Sequence, residues 1–163
     1  MTPPDSRAAA AMWSAYLASG RGPAPSAPVP VVDSFGDGPE LADELLGLVR
    51  SGDKRATASL LDEYEVLGDA VPEVGDHWVV CDGAGVPRVI LRTTEVRHVR
   101  FREVDAAFAY DEGEGDRSIE SWRRGHRRYW ERVGAELGFA LTNDSVVVAE
   151  RFRVVWPPEV ADV

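Results

Sequence analysis

Lysine is nearly absent from this chain: Lys54 is the single one among 18 basic residues, and all the others are arginine. Cysteine is equally scarce. The lone Cys81 excludes an internal disulfide and a cysteine-built zinc cage. It lies in the apolar run Trp78-Val79-Val80-Cys81, where the expected role is that of a small buried hydrophobe. The three histidines, His77, His98 and His126, are far apart and lack ligand spacing, so structural or surface roles are expected for them. Long apolar runs are missing too. None approaches the roughly twenty residues needed to span a bilayer, and no basic segment followed by an apolar core marks a secretory signal. A cytoplasmic protein without membrane contact is the expectation.

What is present describes a globular chain. Its 163 residues are 44% hydrophobic and 28% charged, enough for one domain with a real core. The net charge of −10 argues against a generic nucleic-acid binder. The charge is unevenly spread, however: residues 1–87 carry 14 acids against 5 bases, and residues 88–132 carry 11 bases against 9 acids. A polyanion would meet the second half.

The pattern of apolar residues predicts a first helix over Ser6–Ala18, followed by a Gly/Pro/Ala-rich stretch. Residues 1–30 are therefore expected to form an appendage, 31–158 the main domain and 159–163 a tail. Pro39, Glu40 and the apolar positions Leu41, Leu45, Leu48 and Val49 predict a helix that Gly52 ends. Strands are expected over Thr57–Leu61, His77–Cys81, Arg88 to Val99, and from Val146 through Trp156. Residues 101–110 read as a short helix or helical turn and residues 111–116 as an acidic loop. Ser118 to Leu137 reads as the longest helix, with Ile119, Trp122, Val133 and Leu137 on its buried stripe. Antiparallel strands with helices inserted between them predict an α+β fold built on a small β-barrel.

Three groupings could carry chemistry. Lysine, unlike arginine, changes its protonation readily when buried, so it can serve as a base. Lys54 stands three residues before Thr57 and five before Ser59, at a helix-to-strand junction, and Arg55 adjoins it. A hydroxyl nucleophile needs a neighbouring base, and this grouping offers one. The competing reading is a surface lysine that complements a helix end. The second grouping is Asp111, Glu112, Glu114 and Asp116, which offers a carboxylate partner for Lys54 or simply a solvated loop whose Asp116 or Ser118 caps the next helix. Its spacing fits no EF-hand, and no metal ligand is assigned. The third is the run of six arginines between 117 and 132, interleaved with Trp122, Tyr129 and Trp130. Arg123 and Arg127, with Arg92 on the preceding strand, could grip phosphate, and Trp122 could stack on a base. The alternative is a solvated helix face.

Phe35-Gly36-Asp37, the Pro39–Leu45 run, Gly52-x-Lys54-x-x-Thr57-x-Ser59-Leu60, Val74-Gly75-Asp76 and Glu112-Gly113-Glu114-Gly115-Asp116-x-Ser118-x-x-x-Trp122 together resemble the ASCH domain family, over residues 33–156. The resemblance implies a PUA-like β-barrel of about five to six mostly antiparallel strands, with helices flanking a cleft. It also implies RNA or a nucleoside or nucleotide as partner; no cofactor and no readout of DNA sequence are expected. Some small members remove the acyl group from N4-acetylcytidine with a lysine, a threonine three residues later and a glutamate. Lys54 and Thr57 match the first two. Glu114 is taken as the third, with Glu112 as its alternative. Arg55, Ser59, Glu112, Arg92, Trp122, Arg123 and Arg127 are taken as binding residues. Other members are assigned ribonuclease activity, so RNA cleavage, including metal-dependent cleavage through the acidic loop, and RNA binding without catalysis stand beside the amidohydrolase reading.

Overall fold

The structure is a computed structural model, and it describes residues 2–163. In chain order the elements are α1 (Ser6–Ala18), β1 (Val31–Ser34), α2 (Pro39–Ser51), β2 (Ala56–Leu60), α3 (Leu61–Leu67), β3 (His77–Cys81) and β4 (Pro87–Arg100). A 3₁₀ turn (Phe101–Glu103), α4 (Ala106–Glu112), α5 (Ile119–Leu137) and β5 (Val146–Trp156) follow. The strands form one five-stranded sheet in the order β1-β3-β4-β5-β2. β1 pairs in parallel with β3, while β3–β4 and β2–β5 are antiparallel. This is the expected α+β, PUA-like architecture, with five strands.

The chain divides into two compact units. The first comprises the residues through Gly52, Gly75–Thr93 and Phe152–Val163. Within it, Leu45, Leu46 and Val49 of α2 pack with Phe35, Val80, Val89, Leu91 and Phe152. Ala9, Trp13 and Tyr16 of α1 pack on Val79 and Ile90, so the first helix shares the apolar core of this unit. Asp5 caps α1 by accepting from the Ala8 N–H. Pro39 opens α2, and Gly52 closes it in the left-handed conformation, at φ 94°. The β3–β4 turn is held by the Asp82 carboxylate, which accepts from the N–H groups of Ala84 and Val86 and from Arg88 Nε at 2.7 Å.

The second unit comprises Asp53–Val74 and Thr94–Arg151. Its core gathers Ala56 and Leu60 of β2, Phe101, Val104, Phe108, Trp122, Trp130, Val147 and Ala149. Three sequence expectations change here. The single short helix or helical turn expected over 101–110 is resolved into both a 3₁₀ turn and a separate α4, started by Asp105, whose side chain accepts from the Phe108 N–H. α4 runs to Glu112, so Asp111 and Glu112 belong to a helix and not to the acidic loop. On α5 the buried positions are Trp122, Trp130, Val133 and Gly134, while Ile119 and Leu137 are only partly covered.

Candidate functional site

Lys54 lies in the short link before β2. The backbone there is anchored by the Arg55 N–H, which donates to Asp111 O at 2.7 Å. The lysine side chain is 1% exposed, so burial and not surface placement describes it. Its ammonium donates to Glu114 Oε1 at 2.6 Å and to Glu112 O at 3.4 Å, and lies 3.8 Å from Glu112 Oε1. The two carboxylates differ in access: the Glu112 side chain is 1% exposed and that of Glu114 is 34% exposed. Lys54 thus connects an interior carboxylate to one that opens to solvent.

The sequence at the end of α4 makes this possible. Gly113 ends the helix at φ 74°, a conformation glycine adopts without steric penalty. A Cβ there would collide with the carbonyl of Asp53. The tight turn therefore brings the backbone of Gly113 against the residue preceding Lys54, which sets Glu112 and Glu114 on either side of its side chain. Arg117, at φ 64°, ties the rest of the loop to the same segment: Nη2 donates to Asp53 O at 2.5 Å, and the guanidinium lies 4.3 Å from the Tyr110 ring centroid. Ser118 caps α5 by accepting from the Ser121 N–H at 3.1 Å.

Glu112 has further partners on α5. Its Oε2 accepts from the indole N–H of Trp122 and stands 3.2 Å from His126 Nε2. The imidazole lies flat on Trp122, with ring centroids 4.1 Å apart and 18° between planes, and its Nδ1 is 3.0 Å from Trp122 O. Burial disfavours charge on both groups, yet their mutual attraction outweighs it. The Glu112 carboxyl is held below its ordinary value of 4.5, by His126 and then Lys54. His126 is held above its ordinary 6.5, by Glu112 and then Glu114. Across the core, Glu63 of α3 accepts from the Leu60 N–H at 2.8 Å, and burial raises its pKa.

The sequence-derived candidates separate into groups. Lys54, Glu112 and Glu114 are brought together. Arg55 adjoins them, with Nη1 donating to Lys54 O at 2.7 Å. Thr57 and Ser59 are half-buried on β2, opposite Glu150 and Val148 of β5. Strand alternation puts them on the face opposite Ala56 and Leu60, where Ser59 contacts the Tyr64 hydroxyl. Trp122 is 5% exposed and serves the core and Glu112. Arg123 donates to the carbonyls of Arg102 and Val104, and Arg127 donates to Asn143 Oδ1 and lies over the Phe101 ring. Arg92 is exposed on β4 of the first unit, in register with His77. His126 was not among the candidates. Its signal was the Trp122–His126 spacing of four on one helix, which stacks two rings on one face.

Among the described residues, no group of three or more His, Cys, Asp and Glu is arranged to hold a metal ion, and no helix is long and apolar enough to cross a membrane. The ASCH domain family model matches residues 32–156. The chain belongs to the ASCH domain family. Its ASCH domain is similar to the crystal structure of an ASCH domain from Lactobacillus crispatus JV V101, at 29% identity and TM-score 0.82, covering 93% of this chain and 96% of that one. It is likewise similar to a crystal structure of a protein from Enterococcus faecalis V583, at 29% identity and TM-score 0.82, covering 91% and 88%. No curated protein matches the chain by sequence. As an ASCH domain, the chain has a fold of the general nucleic-acid-binding type.

Proposed function

We propose that this ASCH domain takes a nucleoside, or an unpaired base of RNA, at the Lys54–Glu114 pair and hydrolyses an amide on an N4-acylated cytidine-like base. One observation carries the reading: the chain's single lysine is 1% exposed and donates at 2.6 Å to a carboxylate that is itself one-third open to solvent. A surface lysine complementing a helix end would have neither property. The match of Lys54 and Thr57 to the lysine and threonine of the small amidohydrolases in this family supports the same chemistry.

The proton route runs along the contact. Lys54 passes a proton to Glu114 across the short charge-assisted bond. The neutral amine then accepts the proton of Thr57 Oγ as that oxygen bonds to the acyl carbon. Glu114 returns a proton to the exocyclic nitrogen as the C–N bond breaks, freeing the base and leaving an acyl ester on Thr57. Water attacks that ester by the reverse use of the same groups, releasing the acid.

The test is release of cytidine from N4-acetylcytidine, followed by chromatography. Wild-type protein turns over. Lys54→Arg, which keeps a cation but not an accessible neutral form, does not. Thr57→Ala loses acyl-ester formation, seen by mass spectrometry. A Lys54→Arg variant as active as the wild type, or a wild type without turnover, overturns the reading.

A second reading has its own observation. Arg100 and Arg102 are about half exposed and share one carboxylate, Asp144, at 3.8 and 3.0 Å, which leaves an excess of positive charge beside α5. On this reading the domain binds RNA without cleaving it, and binding weakens steeply with salt. Arg100→Ser with Arg102→Ser then flattens the salt dependence by about one to two counterions in a titration with single-stranded RNA.

A further inference from the structure

Hydrolysis by Lys54, Glu114 and Thr57 leaves unused a buried carboxylate, Glu112, and the imidazole behind it. The Glu112 side chain is 1% exposed and that of His126 is 13% exposed, so neither is placed to meet a substrate directly. They are nonetheless joined to the lysine by an unbroken set of contacts. Glu112 Oε1 lies 3.8 Å from Lys54 Nζ, and Glu112 Oε2 lies 3.2 Å from His126 Nε2.

The geometry specifies how the imidazole is used. His126 Nδ1 faces Trp122 O at 3.0 Å, and a carbonyl oxygen only accepts, so Nδ1 carries hydrogen. His126 Nε2 faces an oxygen of the Glu112 carboxylate, which accepts, so Nε2 carries hydrogen as well. A ring with a donor on both nitrogens is an imidazolium. The stacked indole of Trp122 fixes its plane, and the same indole gives its N–H to Glu112. Two cations, His126 and Lys54, therefore alternate with two anions, Glu112 and Glu114.

We infer that His126 is a positioning residue: its doubly donating ring holds the Glu112 carboxylate in place, and through Glu112 it keeps the Lys54 ammonium seated against Glu114. The inference rests on the reading of Lys54–Glu114 as the site and adds the group that controls it. The groups facing the imidazole are Glu112 of α4, Glu114 of the following loop and Glu63 of α3, with Trp122 and Trp130 of its own helix. These titratable neighbours are all acidic, so loss of the ring proton takes one of the two cations from Glu112 and leaves its charge facing Lys54. That change shifts the ammonium between its two carboxylates.

The single lysine makes this directly observable. Protein labelled with ¹⁵N only in lysine gives one side-chain Nζ resonance. A second sample, labelled in histidine, reports which ring nitrogens carry hydrogen. The expected result is a His126 ring protonated on both nitrogens at neutral pH, and an Nζ resonance that moves with the same midpoint as the ring loses a proton. In His126→Gln that inflection in the Nζ resonance disappears. A singly protonated ring at neutral pH, an Nζ resonance that stays still while His126 titrates, or an inflection that survives in the variant overturns the inference. The wild-type measurement decides even if the glutamine variant does not fold. Turnover of N4-acetylcytidine gives a second readout: its alkaline limb falls with the His126 midpoint, and His126→Gln loses that limb with little change in KM. A wild type that shows the coupled NMR titration but no turnover removes the hydrolytic reading and leaves this inference standing.

Discussion

A buried ammonium held by two carboxylates is harder to replace than an exposed one, because removing it takes a partner from charge held in the interior. Lys54→Met leaves the Glu112 carboxylate, itself 1% exposed, with only His126 and Trp122 of these partners, and is expected to destabilise the protein by about 1–3 kcal/mol in urea unfolding. An exposed lysine would cost well under 1 kcal/mol by the same measurement, on the order of a surface pair. Trp122→Phe tests the other side of Glu112. Phenylalanine keeps the packing against Phe101 and Trp130 but removes the indole N–H given to the buried carboxylate. The expected loss is about 1–3 kcal/mol, read from the shift in the urea midpoint at unchanged slope. Lys54 was legible from composition, since one lysine among seventeen arginines is a residue that arginine did not replace. His126 was not, because its role depends on Glu112, fourteen positions earlier and on another helix. The spacing of four announces the ring stack with Trp122, but not the contact with Glu112 that tertiary packing creates.

The elements most legible in the sequence were those with their own punctuation. The range of α1 followed from its apolar period, and those of α2 and α5 also from Pro39, Gly52 and the Ser118 cap. The hairpin around Asp82 followed from its turn residues. β1 escaped notice because four residues after a proline-rich stretch show no alternation, and α3 because its seven residues contain no fully buried side chain. The end of α4 was misread because Asp111 and Glu112 look like the start of an acidic loop, whereas Gly113 is where the helix stops. That glycine is the most exacting position in the site. Gly113→Ala combines a left-handed conformation with a collision against Asp53 O. The expected destabilisation is about 2–4 kcal/mol in thermal or urea unfolding, the sum of left-handed strain and overpacking. It is accompanied by displacement of Glu112 and Glu114 relative to Lys54. Gly138→Ala, at the left-handed end of α5 with open space around it, is the control and loses only the strain.

For the molecule as a whole, two histidines titrate in opposite senses. In the first unit, His77 is packed against Trp13 and Tyr16, with ring centroids 5.2 and 5.7 Å away, and burial followed by the nearby Arg92 guanidinium lowers its pKa below 6.5. A depressed histidine favours the fold when neutral, so its contribution is present above about 6.5 and declines as pH falls below it. In the second unit, His126 is raised above 6.5, so its contribution is full below that value and declines as pH rises through the folded-state pKa. Glu112, depressed below 4.5, contributes above that value and is lost as pH falls further. The His126–Glu112 pair therefore supports the second unit best between about 4.5 and 6.5, while the His77 contribution to the first unit is best above it. Each histidine contributes a slope of at most about 1.4 kcal/mol per pH unit. The two slopes have opposite sign and act on opposite sides of about 6.5, so as far as these groups are concerned the wild-type melting temperature is highest near about pH 6.5 and falls on either side. Single substitutions separate the two limbs. With His77→Phe the melting temperature rises on acidification, because only the His126 contribution remains. With His126→Gln it falls on acidification, because only the His77 contribution remains. Parallel profiles in the two variants would mean that neither ring titrates as its surroundings require.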